Sequence, residues 1–255
     1  MKPGQQGEIR IIPIPFAGEV RTGDDIATLL LSSIRRARKK LRAGDIVVVK
    51  HKIISKAEGR LADLEEIQPS AATVRWAKKY SLDARVTELA MREAATIIRK
   101  KNGVLITETR HGFICANSGV DVSNVDGGRK ALLLPQDPDR SAAELHRALK
   151  RRSGLAVPVI ITDSFGRPWR EGLCEFAIGV AGMKALRDDR AQRDPHGYEL
   201  RVSEEAVADE IACAAGLTCG KLNRIPAAIV RGFRFEAASG SARTLLRAKA
   251  RDLFR

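Results

Sequence analysis

Short apolar runs bounded by glycine, proline and aspartate punctuate this chain. Ile46-Val47-Val48-Val49 follows a Gly44-Asp45 turn and is too short for a helix, so it predicts a buried strand. Val157 to Thr162, ending at Asp163, and Ala227 to Val230, ending at Arg231-Gly232, predict two more. Residues 8–12 alternate toward Ile11-Ile12-Pro13-Ile14-Pro15-Phe16, where two prolines predict a strand end or edge. Behind Gly23-Asp24-Asp25, the residues Ile26, Leu29, Leu30, Ile34 and Leu41 recur at near-helical spacing. The basic run from Arg35 to Arg42 suits the carboxyl end of that helix.

Helical spacing also predicts helices over residues 70–80 and 84–101. Gly103 to Thr107 predicts a strand, with Arg110 to Cys115 as its hairpin partner, and Ala131 to Pro135 a short strand. Ser141, with Glu144 at capping-box spacing, predicts a helix start. Cys174 to Ala181 is a small-residue apolar segment, and residues 184–198 read as charged and irregular. Ser203-Glu204-Glu205 predicts a helix through Ala215, and a basic helix over 240–254 closes the pattern. Helices and strands mix without a clean βαβ rhythm, which predicts an α+β fold of mixed sheets with packed helices. The chain reads as one unit over 1–255, with room for two intimate subdomains, and has neither repeat nor low-complexity tract.

Composition narrows the class. With 44% hydrophobic and 30% charged residues the chain reads as an ordinary soluble protein. Its apolar runs fall far short of the roughly 20 residues that span a bilayer. The start, Met1-Lys2-Pro3-Gly4, lacks the apolar core of a signal peptide, so a cytoplasmic location is expected by default. The net charge of +14 favours polyanionic partners, either nucleic acid or a phosphate-rich substrate. Most of the excess reads as solvated helix faces, and 4% aromatic content leaves little for a base-stacking platform, so no nucleic acid is expected. Cys115, Cys174, Cys213 and Cys219 form no Cys-x-x-Cys pair and read as reduced thiols among apolar neighbours.

Three segments concentrate chemistry: Lys52 to Arg60, Asn117 to Asn124, and Thr162 to Arg170. Each sets carboxylate, hydroxyl, amide or cationic groups beside glycine just after an apolar run. Asp121 and Asp163 are candidates to hold a divalent cation against a triphosphate, with Ser164 and Asn124 beside them. Both aspartates serve equally well as turn or cap residues, and spacing alone does not bring them together. Lys52 and Lys56 bracket Ser55 as phosphate cations, or belong to a plain surface loop. Arg167, Trp169 and Arg170 combine bidentate cations with a flat ring, or form a surface cation–π group. His111 and His196 have no partner at ligand spacing. Walker, Gly-x-Gly-x-x-Gly and Gly-x-Ser-x-Gly motifs are absent.

In order along the chain, these motifs resemble the coenzyme F-420:L-glutamate ligase family: Gly23-Asp24-Asp25, Ser55-Lys56-Ala57-Glu58-Gly59-Arg60, His111-Gly112-Phe113, Ala116-Asn117-Ser118-Gly119-Val120-Asp121-x-Ser123-Asn124, Asp163 to Arg170, Ala177 to Gly182, and Pro226 with Val230-Arg231-Gly232. The resemblance implies a GTP-dependent ligase that joins L-glutamate to the lactyl carboxylate of F-420-0 and then adds gamma-linked glutamates. It implies an acyl-phosphate intermediate, and GTP leaving as GDP and phosphate. It further implies the distinctive fold of that family as an intertwined homodimer, two magnesium or manganese ions and a potassium requirement. A C-terminal nitroreductase-like domain, found in some relatives, is not expected in 255 residues.

Carried over by position, Asp121 and Asp163 match ligands of the first metal, with Ser164 near the second and Asn124 at the nucleotide. Pro13, Ile14, Pro15 and Phe16 match the segment lining the nucleotide site, and His51, Lys52 and Lys56 the segment holding phosphates. Cys219, Gly220, Lys221, Leu222, Asn223, Arg224, Ile225 and Pro226 match the loop around the nucleotide. Asp121, Asp163, Lys52 and Lys56 are thus the expected catalytic set, and Arg167, Trp169 and Arg170 the expected substrate contacts. At 221, where the family usually has Gln or another neutral or acidic residue at the second metal, this chain has lysine, whose ammonium cannot ligate a cation. Arg224 likewise stands where acidic residues are common. Either the second site is rearranged or Lys221 replaces that metal with its own charge.

Overall fold

The computed structural model describes residues 7–123, 126–220 and 222–253. In chain order its elements are β1 (Arg10–Ile14), α1 (Ile26–Arg36), β2 (Ile46–Lys50), α2 (His51–Ala57), β3 (Leu61–Asp63), α3 (Ala71–Lys79), α4 (Ala84–Glu93), β4 (Ala94–Lys101), β5 (Val104–Thr109), β6 (Ile114–Ala116), β7 (Lys130–Leu132), α5 (Pro138–Ser153), β8 (Val159–Arg167), β9 (Arg170–Ala181), β10 (Arg187–Asp188), β11 (Glu204–Glu205), α6 (Val207–Cys219) and β12 (Ala227–Arg231). The result is a mixed α+β architecture.

The main sheet has the order β1-β12-β2-β8-β9. Only β2 and β8 run parallel, with Val47 to Lys50 beside Val159 to Thr162; the other pairings are antiparallel. Branched residues fill its centre: Ile46, Val49, Ile160, Ile161 and Ile229 are fully or almost fully buried. They form one large apolar cluster with Leu30 of α1 and Leu149 of α5. A smaller cluster, around Leu64, Leu89, Leu105 and Leu133, lies under the three-stranded sheet β4-β5-β6 and the helix α4. Arg231 at the end of β12 donates to the fully buried Asp45 from Nε and Nη2 at 2.7 and 2.8 Å, tying β12 to the turn before β2. Gly179 of β9 lies so close to α5 that a Cβ there would sit 2.2 Å from the Pro138 carbonyl oxygen.

Several local expectations are corrected. The helix expected over 84–101 stops at Glu93, and residues 94–101 are strand β4. Asn102 and Gly103 both take positive φ, 52° and 77°, the pair of left-handed residues that a two-residue hairpin turn requires. Thr96, Ile97 and Ile98 then favour strand over helix. The helix expected at Ser203 begins at Val207, because Glu204 and Glu205 pair with Asp188 and Arg187 in a short ribbon. Asp137 caps α5 and Pro138 takes its first turn, so Ser141 is not the cap; its hydroxyl donates to Glu58 and the Asp137 carbonyl. The C-terminal helix is replaced by two 3₁₀ turns, Ala242–Leu245 and Lys249–Arg251. That stretch buries only Ala242, too little to stabilise a long helix. Finally, His51 to Ala57 is not a strand extension and loop but helix α2, which buries His51, Ile53, Ile54 and Ser55.

Candidate functional site

The registers of the main sheet bring distant segments to one end of it. Ile14 at the end of β1 pairs with Ala227 at the start of β12. Ala227 in turn pairs with Val49, and Lys50 lies beside Thr162. Pro13, Ile14, Pro15 and Phe16, the junction at Lys50-His51-Lys52, Asp163-Ser164 and the loop before β12 therefore meet at this end. The backbone closes the group: Phe16 N–H donates to the Arg224 carbonyl at 3.4 Å, and Lys50 N–H to that of Pro226 at 2.8 Å. This is the carboxyl end of the one parallel pair, where open mixed sheets offer a crevice to ligands.

The first turn of α2 carries the polar chemistry. His51 is buried; its Nδ1 lies 3.2 Å from Ser55 Oγ, and its Nε2 lies 3.3 Å from Oδ1 of Asp163 without forming a hydrogen bond. Lys52 reaches the other way and donates to Oδ2 of Asp121 at 2.7 Å, to Ser123 Oγ at 2.8 Å and to the Ser123 carbonyl at 3.2 Å. Two aspartates remote in sequence thereby lie against consecutive residues of one helical turn, Asp121 bonded to Lys52 and Asp163 close to His51. Burial alone would raise the Asp121 carboxyl, but the Lys52 ammonium and the Ser123 N–H outweigh it and hold it below its ordinary value. Cys115 is near Asp163; burial, reinforced by that carboxylate, pushes its thiol up to about 12.

Asp121 owes its position to an unusual turn. Asn117, Ser118 and Gly119 have φ of 52°, 55° and 71°, three consecutive left-handed residues. Gly119 is required because a Cβ there would lie 2.8 Å from Leu134. Ser118 is held by its buried hydroxyl, which donates to the Ala90 carbonyl at 2.6 Å and lies 2.9 Å from Thr107 Oγ1. Asp121 then bridges Leu132 through both backbone groups.

A second cluster lies on the opposite face of β8. Thr162 and Asp163 are consecutive strand residues and so point to opposite faces. Thr162 Oγ1 donates to Glu175 Oε2 at 2.8 Å, and Lys50 forms an ion pair with the same carboxylate. Sequence reasoning missed this pair. Its signal was available: Glu175 stands alone in an apolar strand, and a lone carboxylate there demands a cationic partner. Cys219, which ends α6 next to this cluster, is buried, and burial pushes its thiol up.

Other expected residues fall elsewhere. Lys56 pairs with Glu19 at 2.8 Å. Gly220, Leu222, Asn223, Arg224, Ile225 and Pro226 run from α6 back to β12, with Leu222 exposed. Arg167, Trp169 and Arg170 form the tip of the β8–β9 hairpin, where Trp169 is 82% exposed and has φ of 57°. Arg167 is four residues from Asp163, about 13 Å along the strand, so the tip does not join the carboxylates. Asn124 and Lys221 lie outside the described residues. Cys115 and Cys219 are buried, while Cys174 and Cys213 are half-exposed.

Among the described residues no three His, Cys, Asp or Glu side chains gather closely enough to hold a metal by themselves. The donors suit a different arrangement. Oδ1 of Asp163 accepts from Ser164 N–H at 2.7 Å, leaving Oδ2 open, while Asp121 holds Lys52 on Oδ2 and the Ser123 N–H on Oδ1, both at 2.7 Å. The Ser164 side chain, next along the strand, points to the other face of the sheet, against the expectation that it joins the metal ligands. Magnesium commonly takes one or two carboxylates and completes its shell with phosphate oxygens. The open oxygen of Asp163 fits that kind of site. No helix of the described residues is long and apolar enough to cross a membrane.

Comparison with known proteins bears on the same residues. The model of the family described as F420-0:Gamma-glutamyl ligase matches residues 16–232. A protein of Methanopyrus kandleri named coenzyme F420:L-glutamate ligase is 44% identical over 253 residues, covering 97% of this chain and 98% of its own. Proteins of the same name from Methanothermobacter thermautotrophicus and Methanocaldococcus jannaschii are 42% and 41% identical. They cover 97% and 86% of this chain, and 99% and 88% of their own lengths.

Proposed function

The chain belongs to the F420-0:gamma-glutamyl ligase family, and from that premise we propose that it joins L-glutamate to the lactyl carboxylate of F-420-0 at the expense of GTP. The carboxylate attacks the terminal phosphorus of GTP, forming an acyl phosphate and releasing GDP. The glutamate amine then attacks the acyl carbon, phosphate leaves, and the amine gives up a proton. Further gamma-linked glutamates follow by the same two steps. The supporting observation is the gathering of residues 13–16, 50–52, 163–164 and 222–226 at one end of one sheet, with Asp121 tied there through Lys52.

In this reading Lys52 and Lys56 neutralise phosphate charge, and the segment from Pro13 to Phe16 lines the nucleotide with the 219–226 loop. Asp163, with Asp121, would hold magnesium or manganese, which when bound offsets the charge that phosphates and carboxylates bring together. His51 lies beside the Asp163 carboxylate on its buried side. Lys50 at the end of β2 pairs with Glu175 inside β9 on the face beneath. Potassium is an expected activator, and a homodimer the expected working unit. The half-exposed Ile97, Val104 and Ile114 of β4, β5 and β6 give an apolar surface that a second copy would cover.

The test is incubation of purified protein with GTP, L-glutamate, manganese and F-420-0, followed by mass spectrometry. A product heavier by one or more glutamyl residues, with GDP formed, supports the reading; F-420-0 of unchanged mass overturns it. ATP in place of GTP, and omission of potassium, test the nucleotide and the activator. Light scattering at working concentration tests the dimer.

A further inference from the structure

On the face of the main sheet opposite Asp163, Glu175 of β9 joins three strands. Its Oε2 accepts from Thr162 Oγ1 of β8 at 2.8 Å, and its Oε1 pairs with Lys50 at the end of β2. Thr162 and Lys50 are themselves register neighbours. Each comes just before residues that face the acidic site: Thr162 precedes Asp163, and Lys50 precedes His51 and Lys52.

The strand that carries Glu175 is irregular at this point. Ile161 pairs with Gly179 but Thr162 with Ala177, so β9 holds one residue more than β8 in that step. Such a bulge bends a strand, leaves a backbone group unpaired and re-aims side chains. Helix α6 fits the irregularity with one face. Asp209 Oδ1 accepts from Ala177 N–H at 2.8 Å, and Cys213 Sγ donates to the Glu175 carbonyl at 3.0 Å. Gly216 lies so close that a Cβ there would sit 2.5 Å from Glu175 Cγ. Residues 209, 213 and 216 follow the four- and three-residue steps of a single helix face. The Glu175 side chain is thus fixed at its backbone, along its stem and at both carboxylate oxygens.

Stability alone does not call for a buried ion pair, since well-packed apolar residues of like volume often do as well. What the carboxylate adds is a directed bond to each of two strand ends. We propose that Glu175 is a positioning residue: by holding Thr162 and Lys50 it sets where β8 and β2 deliver Asp163, His51 and Lys52 on the opposite face. Its bearing on ligation rests on the function proposed above, whereas its effect on placement does not.

The experiment compares the full-length parent with E175Q, T162V, T162S and K50M/E175Q. Amide hydrogen exchange is followed without nucleotide, and ligation of F-420-0 is assayed on the same preparations with GTP, L-glutamate and manganese. E175Q keeps the side-chain size and loses the charge. Exchange at residues 50–52 and 162–164 should quicken at least about tenfold, while amides of α5 stay within about twofold of the parent. Its kcat should fall at least about tenfold, as expected when reacting groups are displaced. T162V should repeat both effects, and T162S, which keeps the hydroxyl, should hold kcat within about threefold of the parent. K50M/E175Q removes both charges, so it should melt above E175Q yet keep the low kcat. A merely structural pair would recover both. Unchanged exchange at 50–52 and 162–164 in E175Q and T162V, or a uniform rise along the chain, overturns the proposal. So does parental kcat in E175Q and T162V, or recovery of kcat in the double variant. A parent that does not ligate, with the local exchange changes present in its variants, sinks the proposed function alone and leaves the positioning intact.

Discussion

The left-handed turn before Asp121 gives a prediction whose sign is unusual. Replacing Ser118 by alanine removes the hydroxyl that donates to the Ala90 carbonyl and meets Thr107. Ser118 is only 4% exposed, so water does not replace it. One net hydrogen bond is worth about 1 kcal/mol, and leaving a buried carbonyl unsatisfied costs about 1–3 kcal/mol. Ser118→Ala should therefore destabilise by about 2–3 kcal/mol, keeping the strain of φ 55°. Ser118→Gly loses the same bonds but relieves that strain, recovering about 1 kcal/mol. Elsewhere in a regular element glycine is worse than alanine by about 0.5–1 kcal/mol; here the order should reverse. For a chain of this size the alanine variant should melt about 4–12 °C below the parent and the glycine variant about 2–4 °C above the alanine one. Thermal and urea unfolding of the three proteins measure this directly. An alanine variant at least as stable as the glycine variant would refute the argument that the hydroxyl holds a strained turn. Ligation should fall in both variants at temperatures well below melting, because Asp121 lies three residues on.

Three further outcomes are expected. Asp45→Ala strands Arg231 against a buried site and should cost about 3–5 kcal/mol in urea unfolding, and a loss under 1 kcal/mol would contradict that pairing. Asp163→Asn should lower ligation at least about a thousandfold while moving the melting temperature little; retained turnover would remove Asp163 from the proposed metal site. Burial raises the Asp209 carboxyl above its ordinary 3.8, with the Ala177 N–H pulling it partly back. A raised folded value means its contribution is complete below that ordinary value and is lost as pH rises through the folded one. Asp209→Asn keeps an oxygen for Ala177 and removes that loss, so its stability relative to the parent should grow between pH 4 and pH 7, and a constant difference would show that the carboxyl titrates normally.

The central sheet was legible because its strands are short runs of branched residues with turn signals on both sides. Strand β4 was not, since Ala94 and Ala95 continue the pattern of α4 and the decisive sign lies later, at Asn102-Gly103. Helix α2 was hidden by its own chemistry: His51, Lys52 and Lys56 read as loop, yet Ile53 and Ile54 drive them into a buried turn. The C-terminal helix failed for the opposite reason, periodic cations with almost no apolar face to bury. At the site, spacing nominated Asp121 and Asp163 but could not join them. Bringing them to neighbouring residues of α2 needs the pairing of β2 with β8 and a strained turn at 117–119. The Lys50–Glu175 pair could be half anticipated, from a lone carboxylate inside an apolar strand, but its partner lies 125 residues away and Lys50 resembles an ordinary strand-end charge.

The tight passage from β2 to α2 explains how so few residues organise the site. Lys50 is both the last residue of the strand and the cap of the helix, with no loop between. In a strand, successive side chains alternate between faces, whereas in a helix they turn by about 100° each. At the junction both rules apply, so three consecutive side chains leave in three directions. Lys50 goes to Glu175 on one face of the sheet, His51 to Asp163 on the other, and Lys52 outward to Asp121. A flexible loop could present the same charges, but it would pay an ordering entropy of about 1–2 kcal/mol per residue when ligand bound. Here that ordering is supplied by burial of Ile53 and Ile54 in the main core. The positions of Lys50, His51 and Lys52 against their carboxylates are therefore set by hydrophobic packing, which is the preorganisation that the proposed phosphoryl transfer would require.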